Sequence, residues 1–224
     1  MRISPDELVL WAWGPFRLNA TIVYTWAVMA MLLLVARLAT RRLSTTTGLP
    51  RWQNLLEVLV SGMREQIREL SQQDPGKYLP FVGTLFLFIA TSNVLAVVPG
   101  FTPPTASLST TTALALCVLV AVPLYGIVER GLRGYLAVYV RPTVFMLPFT
   151  LVGELSRTVA LAVRLYGNVM SGTVIAGILL SIVPFFFPIV LQLLGLLTGL
   201  IQAYIFAVLA MVYIASATRT HGGH

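Results

Sequence analysis

The first long apolar run extends from about Asn19 to Ala36, broken only by isolated hydroxyl side chains, and is long enough for a bilayer-spanning helix. It stops at a basic cluster, Arg37, Arg41, Arg42 and Arg51. Basic flanks stay on the cytoplasmic side, so this run predicts an N-terminus outside. From Pro50 to Leu70 the pattern changes. Trp52, Leu55, Leu56, Leu59, Val60, Met63, Ile67 and Leu70 recur at three- and four-residue steps, while Arg51, Glu57, Arg64, Glu65, Arg68 and Glu69 fill the remainder. This spacing predicts an amphipathic helix over 50–70, lying in the membrane interface or packed on a partner, with a small soluble hairpin element as the bland alternative.

A polar turn over Gln72 to Lys77 precedes a second span at 79–98, which closes at Pro99-Gly100 and the turn-rich Phe101 to Thr105. A third span at 107–128 ends at Glu129, Arg130 and Arg133, returning the chain to the cytoplasm. The remainder predicts two longer helices, 143–183 and 189–218, joined by a turn at Pro184 to Pro188. Each exceeds the roughly 20 residues of a perpendicular span, so both are expected to be tilted or partly interfacial. The expected fold is an all-α polytopic membrane protein forming one membrane domain over 1–224. It has about five transmembrane helices, one interfacial helix, a long tilted C-terminal helical hairpin and a cytoplasmic C-terminus.

Composition agrees. The chain is 57% hydrophobic and 10% charged, where soluble domains carry about a quarter charged residues. A net charge of +7 would suit nucleic-acid binding in a soluble protein; here the basic residues mark the ends of apolar runs, and no nucleic-acid role follows. Met1 to Arg17 contains Asp6, Glu7 and Pro15 and lacks the pattern of a signal peptide, so the first span is read as retained. Cys117 is the lone cysteine, which leaves no internal disulfide. His221 and His224 are the only histidines, which excludes a haem protein with intramembrane His ligands. With no intramembrane His or Asp, an intramembrane hydrolase or metal site lacks its chemistry, and no metal or cofactor is expected. A self-contained channel or secondary transporter is the alternative class; the repeats that build many transporters are absent from the sequence.

Ionisable groups inside spans are costly and usually functional. Arg164 stands in apolar sequence, stays charged at any relevant pH and so cannot relay protons. It can attract a carboxylate or block a passing cation; snorkelling or a structural ion pair are the plainer roles. At 100° per residue Gly153, Arg157, Ala160, Arg164, Asn168 and Ser171 fall within about 40° of one line. Such a stripe should face protein or water. Glu154 lies about 80° away from Arg164, so Arg157 is its expected partner. On the last helix Gly195, Gly199 and Ala203 make a small-residue pattern, with Gln202 near that face, suggesting close approach to the Arg164 helix.

These residues carry a family pattern. The run Ser156 to Asn168, with its Arg164-Leu165-Tyr166-Gly167-Asn168 core, resembles the hallmark segment of F-type ATP synthase subunit a. Ile201 to Phe206 with Val212-Tyr213-Ile214 resembles that family's last-helix motif. Ser92-Asn93, Val98-Pro99-Gly100, Pro104-Thr105 and Thr111 to Leu116 resemble its second-to-third-span region. The resemblance covers nearly the whole chain. It implies a non-catalytic subunit of a bacterial inner (plasma) membrane complex, with partners in a c-subunit ring, peripheral-stalk b subunits, the lipid bilayer and, indirectly, the F1 head. It implies two offset half-channels separated by Arg164, with Asn168 and Gln202 hydrogen-bonding beside it and the 50–70 helix contacting the peripheral stalk. It also implies H⁺ or Na⁺ as cargo and no cofactor. Ser171, Glu154, Arg157 and Asn93 complete the candidate lining or supporting residues. This sequence departs from the family at Thr173 and Gly195, where titratable groups are usual, and has Ala96 and Ser107 in place of outer carboxylates. Hydroxyl-lined access through Thr173, Ser107 and Ser109 suits hydrated Na⁺ as well as H⁺, and resembles the bacterial branch proposed to move Na⁺.

Overall fold

The computed structural model describes residues 9–13, 16–41, 51–98, 100–140, 146–182 and 187–218. Six helices make up the membrane part: α1 (Ala20–Arg41), α2 (Arg51–Ser71), α3 (Leu79–Leu95), α4 (Leu108–Val140), α5 (Met146–Ile182) and α6 (Phe187–Thr218). Of the expected turn at 184–188, residues 187 and 188 instead open α6, while 184–186 and the tail carrying Arg219, His221 and His224 lie outside the described residues. Two short strands that the apolar pattern does not predict, β1 (Val9–Trp13) and β2 (Phe16–Asn19), pair antiparallel ahead of α1. Four described helices are long and apolar enough to cross a membrane, and α3 is a shorter apolar one.

The loop between α3 and α4 marks one end of the bundle (the loop end); the basic residues Arg41 and Arg130 mark the other (the basic end). α1 runs past its predicted end, because Arg37 and Arg41 are good helix formers and no breaker intervenes. It packs mainly near the loop end, where Ala20, Thr21 and Val28 are buried. Tyr24 donates its hydroxyl to the Gly100 carbonyl at 3.2 Å and sets its ring edge-on to Phe101 at 4.9 Å. Much of its remaining surface, including Trp26, Leu33 and Leu34, is exposed.

The apolar face of α2 rests on α3 and α6 of this same chain. Ile67 is buried, and Tyr204 of α6 donates to Gln66 Oε1 at 2.7 Å. Gln72, in the left-handed region at φ 55°, ends the helix while its N–H still reaches the Arg68 carbonyl at 2.9 Å. Asp74 then accepts the Gly76 N–H at 3.1 Å, which fixes the turn.

Lys77 Nζ meets Glu129 Oε1 at 2.7 Å, tying the turn before α3 to the basic end of α4. The hydrogen bond to Glu129 raises Lys77 above its ordinary value of 10.5. A raised pKa stabilises the fold while the ammonium is charged; that contribution is full below the ordinary value and fades as pH rises through the raised one. Both groups are partly exposed, so the effect is small. In detergent, the wild-type melting temperature should fall more steeply than that of Lys77→Met as pH rises above about 10.

The α-helix of α3 stops three residues before the predicted limit of 79–98. Ala96, Val97 and Val98 instead donate to the carbonyls of Asn93, Val94 and Leu95 at 3.3, 3.2 and 3.0 Å, tightening the last turn. Pro99 disfavours helix in the residue before it, and Gly100 adopts φ 87° to reverse the chain. α3 is the inner helix of the bundle, with Val82, Leu85, Phe88, Ile89, Ser92 and Asn93 buried. The predicted third span, 107–128, is the first part of a longer element. Gly131, at φ 72° and ψ 160°, breaks α4 sharply, and the chain folds back so that Tyr135 packs against Gly126. Leu161, Leu165, Phe206, Met211 and Ile214 join the α3 residues in one core.

Candidate functional site

Arg164 stands at the middle of α5 and Gln202 at the middle of α6. Asn168 Nδ2 donates to the Thr198 carbonyl at 3.3 Å and sets the antiparallel register of the two helices. Arg164 lies four residues before Asn168, and Gln202 four after Thr198. The two therefore sit at the same depth, about 6 Å along their helices from that contact. Gln202 is buried, while Arg164 is exposed.

Leu161, Leu165 and Ala162, about 60°, 100° and 160° around α5 from Arg164, anchor one flank of the helix in the core, and Arg164 is left exposed. Val163, Val159 and Leu155, about 100°, 140° and 180° around the helix from Arg164, are exposed as well. The polar stripe expected to face protein or water is left uncovered by the rest of the described chain, with Arg157, Ala160, Arg164 and Ser171 exposed. Among the described residues no carboxylate or hydrogen-bond acceptor pairs with the Arg164 guanidinium. A permanent charge within a helix long and apolar enough to cross a membrane is costly to leave unpaired.

On the loop side of this level, a cavity of ≈ 180 Å³ opens between α5, α6 and the end of α3. Its polar wall is Asn93, Asn168, Thr173, Gln192 and Thr198, interleaved with Gly172, Gly195 and Gly199. Among the described residues its lining contains no titratable side chain. Several waters fit in such a volume. Gln192 Nε2 donates to the Val97 carbonyl at 3.4 Å, and Thr173 Oγ1 to Met170 at 2.8 Å.

On the basic side, Glu154, Arg157, Thr158, Tyr213 and Ser216 line a crevice of ≈ 20 Å³ between α4, α5 and α6, with Val118, Leu119 and Val122. That is room for about one water. The Arg157 guanidinium lies 5.6 Å from the centre of the Tyr213 ring, a cation–π distance. The contact shown for Arg157 is thus with α6 rather than the expected one with Glu154, which lines the same crevice. Thr158 donates to the Glu154 carbonyl at 3.0 Å and Ser216 to that of Tyr213 at 2.7 Å, leaving hydroxyl lone pairs for water.

The structure thus gathers Asn93, Asn168 and Thr173 at one end, Glu154 and Arg157 at the other, and Arg164 with Gln202 between. Ser171 shares the Arg164 face and donates to the Asn168 carbonyl at 3.1 Å. Ser107 is fully buried with its Oγ 2.6 Å from that of Ser109, outside both cavities. The small-residue pattern of α6 serves a different neighbour from the one expected. Gly199 and Ala203 are buried, and a Cβ on Gly199 would stand 3.0 Å from Asn93 Cβ, so the close approach is to α3. Gly195 has no such contact and lines the loop-end cavity. Thr198, Gln192 and Ser216 are given no role by sequence reasoning, and Tyr213 enters it only as part of the last-helix motif. Gln192 is a lone amide in apolar sequence, and Tyr213 lies about 20° from Gln202 on the same helix, signals that were available.

Comparison with known proteins identifies the family. The family model for the ATP synthase A chain matches residues 22–215. ATP synthase subunit a 2 of Acaryochloris marina is 60% identical over 219 residues, spanning 98% of this chain and 94% of that protein. ATP synthase subunit a of Albidiferax ferrireducens is also 60% identical, over 98% of this chain and 95% of its own length. The subunit a of Nitrosospira multiformis is 55% identical over 222 residues, 99% of this chain and 88% of that one.

Proposed function

Because this chain belongs to the ATP synthase A chain family, we propose that it conducts ions through two offset half-channels against a rotating ring of c subunits. The carrying observation is that Arg164 stands exposed and unpartnered among the described residues, level with Gln202 and between two cavities that approach it from opposite ends. The loop-end cavity is the access from outside, in keeping with the positive-inside rule, and the crevice at Glu154 and Arg157 begins the cytoplasmic access. A ring carboxylate, stripped of its ion, is drawn to the guanidinium and held until rotation carries it to the other access. Because the arginine never deprotonates, its fixed charge also keeps cations from passing straight between the two. The subunit itself performs no covalent chemistry, and needs no cofactor. The exposed α5 face carrying Arg157, Ala160, Arg164 and Ser171 meets the ring; the uncovered side of α1 and the outer surface of α2 meet the peripheral-stalk b subunits, and the F1 head connects only through these partners. The setting is a bacterial inner membrane, with the N-terminus outside and the C-terminus cytoplasmic.

The ion is H⁺ or Na⁺. Amides and hydroxyls line the loop-end cavity, and such neutral oxygens replace part of a hydration shell for Na⁺ or order water for H⁺. The deciding measurement is ATP-driven ²²Na⁺ uptake by the purified complex in proteoliposomes with a protonophore present. Persistent uptake establishes Na⁺ as cargo. Absent uptake with protonophore-sensitive acidification establishes H⁺. Neither activity in a complex that hydrolyses ATP would refute the reading.

A further inference from the structure

Three buried groups outside the Arg164 face form a continuous hydrogen-bonded chain. Thr105 Oγ1 donates to Asn93 Oδ1 at 2.8 Å, and Asn93 Nδ2 donates to the Gly199 carbonyl, also at 2.8 Å. Thr105 is fully buried and Asn93 is 4% exposed, so neither bond is shared with bulk water. Thr105 sits in the short 3-10 turn Pro104–Ala106, which packs against α1, α3, α4 and α5. The chain therefore connects a turn held by four helices to the backbone of a fifth element, α6, at its middle.

That point of attachment adjoins the site. Gly199 follows Thr198, whose carbonyl holds Asn168, and precedes Gln202 by three residues. Asn93, Asn168, Thr198 and Gly199 all line the deep end of the loop-end cavity. An α-helix in a bilayer has little to fix its height, because apolar side chains slide against lipid and one another at low cost. A buried amide bonded on both sides does fix it, since a shift along the helix leaves two polar groups unpaired.

We propose that Asn93 and Thr105 are positioning residues: their hydrogen-bonded chain to Gly199 sets the height of α6, holding Gln202 level with Arg164 and closing the inner end of the loop-end cavity. This rests on the half-channel reading above. Without the chain, only the longer Asn168–Thr198 bond of 3.3 Å holds the height of α6 against α5; the cavity then communicates with the Arg164 level at the wrong depth, and ions leak or fail to load.

The test uses the purified complex in proteoliposomes, measuring ions pumped per ATP hydrolysed for Thr105→Val, Thr105→Ser and Gly199→Ala. Valine keeps the shape of threonine and removes the donor; serine keeps the donor and loses a methyl. Thr105→Val should lower the pumping ratio about tenfold, as expected for one buried hydrogen bond, with ATP hydrolysis continuing. Thr105→Ser should restore the ratio to within about twofold. Gly199→Ala leaves both side chains intact while forcing them from α6, where the added Cβ has 3.0 Å to Asn93; it should reproduce the valine defect. Wild-type coupling in Thr105→Val, or a serine variant as impaired as the valine one, overturns the proposal. So does failure of Thr105→Val or Gly199→Ala to copurify with the complex, which would make the chain a folding contact only. If the wild-type complex itself pumps no ion, the half-channel reading has failed, a result distinct from all of these.

Discussion

Arg164→Ala should yield a complex that assembles in near-normal amount, hydrolyses ATP and pumps no ions. Assembly should survive because the guanidinium contributes no hydrogen bond or ion pair to the described fold, and α5 is anchored independently by the buried Leu161, Ala162 and Leu165. Transport should fail because an ion-free ring carboxylate then faces the subunit without a counter-charge. At about 4 Å and an effective dielectric near 20, that attraction is worth about 4 kcal/mol, on the order of a thousandfold in the population of the loaded intermediate. Arg164→Lys keeps the charge as a compact, strongly hydrated ammonium on a shorter stem and should recover little. ATP-driven quenching of a pH-sensitive dye, with ²²Na⁺ uptake in parallel, reads the loss. Normal pumping by Arg164→Ala would remove the arginine from the mechanism.

Gly126→Val should be the most damaging substitution for the fold itself. A Cβ at this position would lie 2.6 Å from two carbons of the Tyr135 ring, and Tyr135 is itself 8% exposed, so the ring has nowhere to go. Ala217 Cβ stands 3.5 Å away on α6, closing the other direction. Overpacking of this kind costs about 1–3 kcal/mol or more, and here it acts on the joint where Gly131 turns the chain back on α4. The expected outcome is a lower thermal midpoint in detergent and greater proteolysis of the 132–140 segment. Because the cause is a single steric conflict, Tyr135→Ala should rescue Gly126→Val, whereas it should itself destabilise the wild type by leaving a cavity. A double variant no better than Gly126→Val would locate the damage elsewhere.

Much of this protein was legible before any coordinates. Spans can be read from apolar runs because a bilayer leaves each crossing segment to satisfy its own backbone, which forces helix wherever hydrophobicity persists. The amphipathic 50–70 pattern gave α2 to within one residue at each end, since its period depends only on helix geometry. Arg164 was conspicuous for the same local reason, a permanent charge in an apolar run, and a family resemblance carried by contiguous residues supplied its role. The boundaries that moved did so through local chemistry easily underweighted: Pro99 and Gly100 shortened α3, and Gly131 bent α4.

What the sequence determined by itself is therefore what neighbours along one helix decide: the elements, the charge at mid-membrane and the chemistry of each face. Tertiary structure alone decided which faces meet. Small residues at Gly195, Gly199 and Ala203 permit close approach without choosing a partner, and it is the side-chain amide of Asn93, 106 residues away in sequence from Gly199, that selects α3 over α5. Likewise the outward direction of Arg164 follows from where Leu161 and Leu165 find their core, and the two cavities exist only between helices. Such contacts depend on the simultaneous placement of several elements, and no periodicity within one of them encodes it.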